Sequence, residues 1–130
     1  MANIRLPIKH VRDRAKSAYE KKTECYICSS DANLELHHFT PLTRLFEQWC
    51  RKRKLKIETD EDVLAIRDEF ISENNEAIYV LVVTLCKAHH AKLHSVYGKS
   101  PALPTAGAQA RWVKKQKDKH DLSLLASGEA

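Results

Sequence analysis

The stretch Leu85-Cys86-Lys87-Ala88-His89-His90-Ala91-Lys92-Leu93-His94 decides how this chain is read, because it brings one thiol and three imidazoles into a short space. Gly98 and then Pro101 supply a stop signal, so the spacing predicts a helix over 87–97. On such a helix His90 and His94 lie four positions apart, project from one face and can share a metal ion. His89 is turned by about 100° from His90. It pairs more naturally with Cys86, three positions before it, so that adjacent histidines serve different ions.

Two upstream clusters complete the ligand set: Cys25-Tyr26-Ile27-Cys28 and Leu36-His37-His38-Phe39. The three clusters hold five of the seven histidines and three of the four cysteines. That set is too large for one tetrahedral ion and suits two. Cys25 and Cys28 with Cys86 and His89 form the expected closed structural zinc site, a clamp between distant segments. The second ion falls to His90, His94 and one member of the His37-His38 pair. Neighbouring residues on a regular strand point to opposite faces, so the strand must bend or end there, and Pro41 provides for this. One imidazole then ligates the ion, and the other stands near it uncommitted. At its ordinary pKa of about 6.5 such a ring is a good proton acceptor at neutral pH.

Working outward, residues 11–22 contain no Gly or Pro and predict an N-terminal helix. The polar run 29–33 is a turn, and Leu34-Glu35-Leu36-His37 alternates as a short strand. Leu42, Leu45, Phe46 and Trp49 recur at helical spacing behind Pro41, which predicts a helix to about residue 54 with Cys50 as a packing residue. Thr59 with Glu61 and Asp62 marks another helix start, and Val63, Ile66, Phe70 and Ile71 give it an apolar face. The apolar run 78–85 suits a buried strand or a helix extension, and a short strand over 82–85 is favoured. Thr105 opens a basic C-terminal helix, 105–120, in which Trp112 either stacks on a nucleic-acid base or, the favoured role, anchors the helix to the core, and the tail from 127 frays. The expected architecture is α+β and mainly helical. It is one domain, 1–130, with one modest core, a motif-bearing region at 23–98 and a helical insertion at 41–78.

Hydrophobic residues make up 43% of the chain but aromatic ones only 7%, so a metal cross-link would help hold the fold. No apolar run is long enough for a signal peptide or a bilayer span, so no membrane partner is expected, and in a reducing compartment Cys-x-x-Cys reads as a metal pair. The formal charge of +5 is concentrated in Arg51, Lys52, Arg53 and Lys54 and again in Arg111, Lys114 and Lys115. Such patches attract polyanions. Lys92, between the metal histidines, belongs with them. Their plainer role is as solvated helix surface.

Leu36-His37-His38-Phe39-Thr40-Pro41 and Leu85-Cys86-Lys87-Ala88-His89-His90 together resemble the two histidine motifs of the HNH, or ββα-metal, endonucleases with a zinc-knuckle frame found in bacteriophage genomes. The resemblance spans residues 25–94 and carries His89 where the family pattern has a cysteine. It implies a small ββα-metal core that hydrolyses DNA phosphodiester bonds in one or both strands. His38 becomes the general base, His37, His90 and His94 the ligands of one catalytic divalent ion (magnesium, manganese, nickel or zinc), and Cys25, Cys28, Cys86 and His89 the ligands of structural zinc. DNA is the implied partner, a homodimer is compatible, and the cytoplasm, that of the host for a phage protein, is the expected location. The family asparagine before the Leu-Cys motif is missing from residues 78–84, with Asn74 and Asn75 the nearest candidates. The alternative is a zinc-stabilised nucleic-acid-binding module without catalysis. A structural zinc protein mediating protein contacts is a third reading.

Overall fold

In the computed structural model, which describes residues 8–126, two strands and one helix form the centre. β1 (Leu34–His38) and β2 (Val82–Cys86) pair antiparallel, with Leu34 opposite Cys86, His37 opposite Val83 and His38 opposite Val82. α4 (Lys87–Tyr97) begins directly after β2 with Cys86 at its N-cap. This is a ββα unit whose two strands are separated in sequence by a helical insertion. The architecture is α+β and mainly helical, as the sequence predicts.

The insertion holds α2 (Leu42–Lys52), α3 (Asp60–Glu73) and one π-helical turn, Glu76–Val80. Thr59 starts α3 through a capping box: its hydroxyl accepts the Asp62 amide at 3.2 Å, while the Asp62 carboxylate accepts the Thr59 amide at 3.0 Å. Three acidic residues in the first turn complement the positive end of the helix dipole. Phe46, Trp49 and Phe70 pack together there with α1 (Lys9–Lys16), and Cys50 is buried among them.

Among the described residues the buried hydrophobic side chains fall into two clusters, not the one core expected. The helical cluster joins α1, α2, α3 and Ile78, while the second gathers Cys25, Ile27, Leu85, Cys86, Leu93 and Val113 around the ββα unit. The insertion is long enough to bury its own apolar faces. Trp112 packs against the second cluster, in the anchoring role expected of it.

Two boundaries differ from expectation. α1 stops at Lys16, because the Ser17 hydroxyl turns back to the Arg14 carbonyl at 2.7 Å and the Tyr19 ring leaves the helix axis to pack on His38 and Tyr79. After a short 3-10 turn, Leu103–Thr105, the last helix α5 runs Ala106–Ala126, beyond the expected end at 120. No Gly or Pro interrupts it there, and Lys114–Asp118 and Lys117–Asp121 pairs brace it at four-residue spacing. The tail expected to fray lies outside the described residues. Among the described residues no helix is long and apolar enough to cross a membrane.

Candidate metal centres and a flanking histidine

The turn of residues 25–28 is folded against the end of β2. The Cys25 amide bonds the Ser30 carbonyl at 2.7 Å, and the Tyr26 amide bonds the Thr84 carbonyl at 2.9 Å. Cys86 at the N-cap of α4 and His89 one turn on then face the two upstream thiols. The four ligand atoms lie within 4.8 Å of one another. Cys28 Sγ to Cys86 Sγ is 3.9 Å, Cys86 Sγ to His89 Nδ1 is 3.3 Å, and Cys25 Sγ to His89 Nδ1 is 3.8 Å. A zinc tetrahedron with ordinary bond lengths has edges of about 3.8 Å between sulfurs and about 3.6 Å between sulfur and nitrogen. The residues fit such an ion.

The surroundings shift three of the four groups. Burial works to raise the Cys25 thiol, but backbone N–H groups of Cys28, Cys86 and Ile27 outweigh it and lower the pKa. Burial and the neighbouring Cys25 push Cys28 up to about 11. The His89 pKa is lowered by burial and by Lys92 and His120, which favours the neutral ring that can ligate.

The second group sits where β1 crosses α4. His37 Nδ1 is 3.1 Å from His90 Nε2, His94 Nε2 is 3.0 Å from the same His90 nitrogen, and the three atoms lie within 4.8 Å of one another. The outward nitrogens are all committed. His90 Nδ1 meets a Glu35 carboxylate oxygen at 2.7 Å, His94 Nδ1 meets the Gly98 carbonyl at 2.8 Å, and His37 Nε2 meets the Gln109 side-chain carbonyl at 2.8 Å. Each of those oxygens accepts a ring N–H, and with all three rings neutral this leaves three lone pairs pointing at one another. Neutral lone pairs at about 3 Å repel, and a cation between them resolves the repulsion. Burial, opposed by Gln109 and reinforced by His90 and His94, holds the His37 pKa down to about 4, which keeps this ring deprotonated on its inner side.

His38 departs from that group. β1 ends at His38, so the two adjacent rings diverge: His37 is buried between β1, α4 and α5, and His38 is half-buried beside Tyr19, with ring centroids 4.9 Å apart. Its Nε2–H donates to the Ile78 carbonyl at 2.8 Å, and burial lowers its pKa. That carbonyl lies in the π-helical turn, whose Ile78 amide bonds the Asn74 carbonyl at 3.0 Å. Asn74 caps α3, its side chain donating to the Phe70 carbonyl, and Asn75 precedes the turn; the group touching His38 is the Ile78 main chain.

The basic residues Arg51, Lys52, Arg53, Lys54, Lys92, Arg111, Lys114 and Lys115 are all exposed. Arg53 differs, because its guanidinium is bound by Glu69 and Glu73 of α3 and lies 4.6 Å from the centre of the Trp49 ring. Lys114 also pairs with Asp118. Two residues of the second centre escaped the sequence reading. Glu35 carried a signal, since two-residue alternation puts it on the His37 face of β1. Gln109 carried none beyond being a polar residue four positions before Val113.

A ββα unit here brings together one thiol-rich and one all-imidazole group of side chains, each of which could hold a metal ion. The chain belongs to the phage T5 nicking endonuclease family, whose family model matches residues 3–125. No solved structure matches it.

Proposed function

We propose that this protein is a metal-dependent endonuclease of the HNH type that hydrolyses a phosphodiester bond in one strand of duplex DNA. The observation that carries this reading is the convergence of three imidazole lone pairs, from His37, His90 and His94, next to a fourth imidazole, His38, that takes no part in the cluster. A binding module has use for the thiol-rich centre but none for the second group or for His38. Membership of a nicking endonuclease family supports DNA as the substrate and one cut strand as the product.

In this reading Cys25, Cys28, Cys86 and His89 hold structural zinc and clamp the 25–28 turn to α4. His37, His90 and His94 hold one divalent ion, for which magnesium, manganese, nickel and zinc are candidates. When bound, that ion supplies positive charge at the scissile phosphate and at the departing 3′ oxygen. His38 is the general base. Its Nε2–H is fixed on the Ile78 carbonyl, so Nδ1 is the nitrogen left to take a proton from water. The resulting hydroxide forms the new bond to phosphorus as the bond to the 3′ oxygen breaks. Ile78 takes over the orienting role of the family asparagine, and Lys92, Arg51, Lys52, Lys54, Arg111, Lys114 and Lys115 contact flanking phosphates. Arg53 is withdrawn from that set by α3. Cutting one strand requires a single site, so a homodimer is not needed, and the expected place of action is the cytoplasm of a phage-infected host.

The test is supercoiled plasmid incubated with the protein across these metals. Conversion to open circles with little linear product supports the reading, and DNA binding without cutting under every metal favours the non-catalytic module.

A further inference from the structure

We infer that Gln109 is a positioning residue of the all-imidazole centre, and that through it α5 selects which nitrogen of His37 is presented to an ion. The inference rests on the metal-binding reading of His37, His90 and His94. His37 is the odd member of that group. His90 and His94 offer Nε2 inward and carry hydrogen on Nδ1, where an exposed carboxylate and a main-chain carbonyl accept it. His37 is reversed: it offers Nδ1 inward and needs an acceptor for Nε2–H in a part of the molecule where its ring is only 2% exposed. Water is not at hand to supply one.

Gln109 does. It is fully buried on α5, 72 positions from His37 in sequence, with its side-chain carbonyl 2.8 Å from His37 Nε2. An amide can face either way, and the wrong face would reverse the centre. With its NH2 toward His37, Nε2 would have to accept, the hydrogen would move to Nδ1, and the inward lone pair would be lost. Two contacts prevent this. The Gln109 NH2 donates to the Phe39 carbonyl at 3.0 Å and to the Thr105 hydroxyl oxygen at 3.0 Å. Phe39's carbonyl can only accept, so the NH2 group must sit there and the Gln109 oxygen must point at His37. A chain of fixed polarity therefore runs from Phe39 through Gln109 to His37 Nδ1. Groups behind a ligating histidine set its tautomer and are worth about 10- to 100-fold in metal affinity. The last helix thus belongs to the metal centre as well as to the basic surface.

The experiment is calorimetric titration of full-length protein, its thiol-rich centre already filled with zinc, with nickel(II). Gln109→Met, close in size but unable to accept or donate, is expected to weaken nickel binding by roughly 10- to 100-fold while zinc content and circular dichroism stay unchanged. Gln109→Glu keeps an acceptor for His37 although it loses the donor to the Phe39 carbonyl, and it is expected to bind nickel more tightly than Gln109→Met, which a purely packing role does not predict. Should Gln109→Met fold poorly, Thr105→Val decides, because it removes one of the two contacts that fix the amide and is expected to weaken nickel several-fold. Nickel affinity unchanged in Gln109→Met, or in Thr105→Val where that variant decides, overturns the inference and leaves the metal-binding reading intact. Absence of nickel binding by the unaltered protein overturns both.

Discussion

His37 and His90 meet Nδ1 to Nε2 at 3.1 Å, and each has its other ring nitrogen already bonded to an oxygen, of Gln109 and Glu35 respectively. Two imidazoles so held repel one another whenever both are neutral. Folding nevertheless forces them together, because His37 faces α4 from β1 while α4 starts without a loop after β2, the partner strand of β1. The approach is built into the ββα geometry, and in the proposed reading it makes the pair a ligand set.

From that relationship follows the effect of Glu35. Glu35→Ala is expected to weaken the ion held by the three imidazoles by about 10-fold or more, since His90 loses the acceptor that keeps hydrogen on Nδ1. Glu35→Gln, which can still accept, is expected to lose less. Competition against a coloured chelator measures both.

The thiol-rich centre should behave as part of the fold. Cys28→Ser is expected to lose one zinc per chain and to lower the melting temperature, with the cluster around Leu85 and Leu93 loosened. Acidification should act in the same direction. Burial pushes the Cys28 thiol up to about 11, so the bare site holds a proton that zinc must displace. Apparent zinc affinity is therefore expected to be weaker at about pH 6 than at about pH 8, measurable by chelator competition at the two values.

His38→Ala separates catalysis from assembly. Plasmid nicking is expected to fall by roughly 10²- to 10⁴-fold, the range for losing a general base, with both ions retained by mass spectrometry. Equal loss of ions and activity would place His38 among the ligands.

The helical insertion should be energetically separate from the metal centres. Phe70 is fully buried and packs edge-on to Phe46 and Trp49. Phe70→Ala is expected to cost about 3–5 kcal/mol in chemical denaturation while metal stoichiometry of the folded protein stays the same.

Much of this was legible in the sequence because it depends on local periodicity. Four-residue spacing put His90 and His94 on one helix face, three-residue spacing paired Cys86 with His89, and the Thr59–Asp62 cap marked the start of α3. What escaped depends on long-range packing. Gln109 lies far from His37 in sequence, and nothing local distinguishes it from other polar residues of a basic helix. Arg53 reads as one of four adjacent cations until α3 brings Glu69 and Glu73 beside it. The π-helical turn that offers the Ile78 carbonyl to His38 was equally hidden, since the apolar run at 78–85 suits a strand or a helix extension alike.

The central claim is that two distinct metal ions occupy the chain, the second between His37, His90 and His94. Native mass spectrometry of zinc-loaded protein and of its His90→Ala variant tests it most directly. Two ions in the unaltered protein and one in the variant are expected. One ion in both, or two in both, would contradict it.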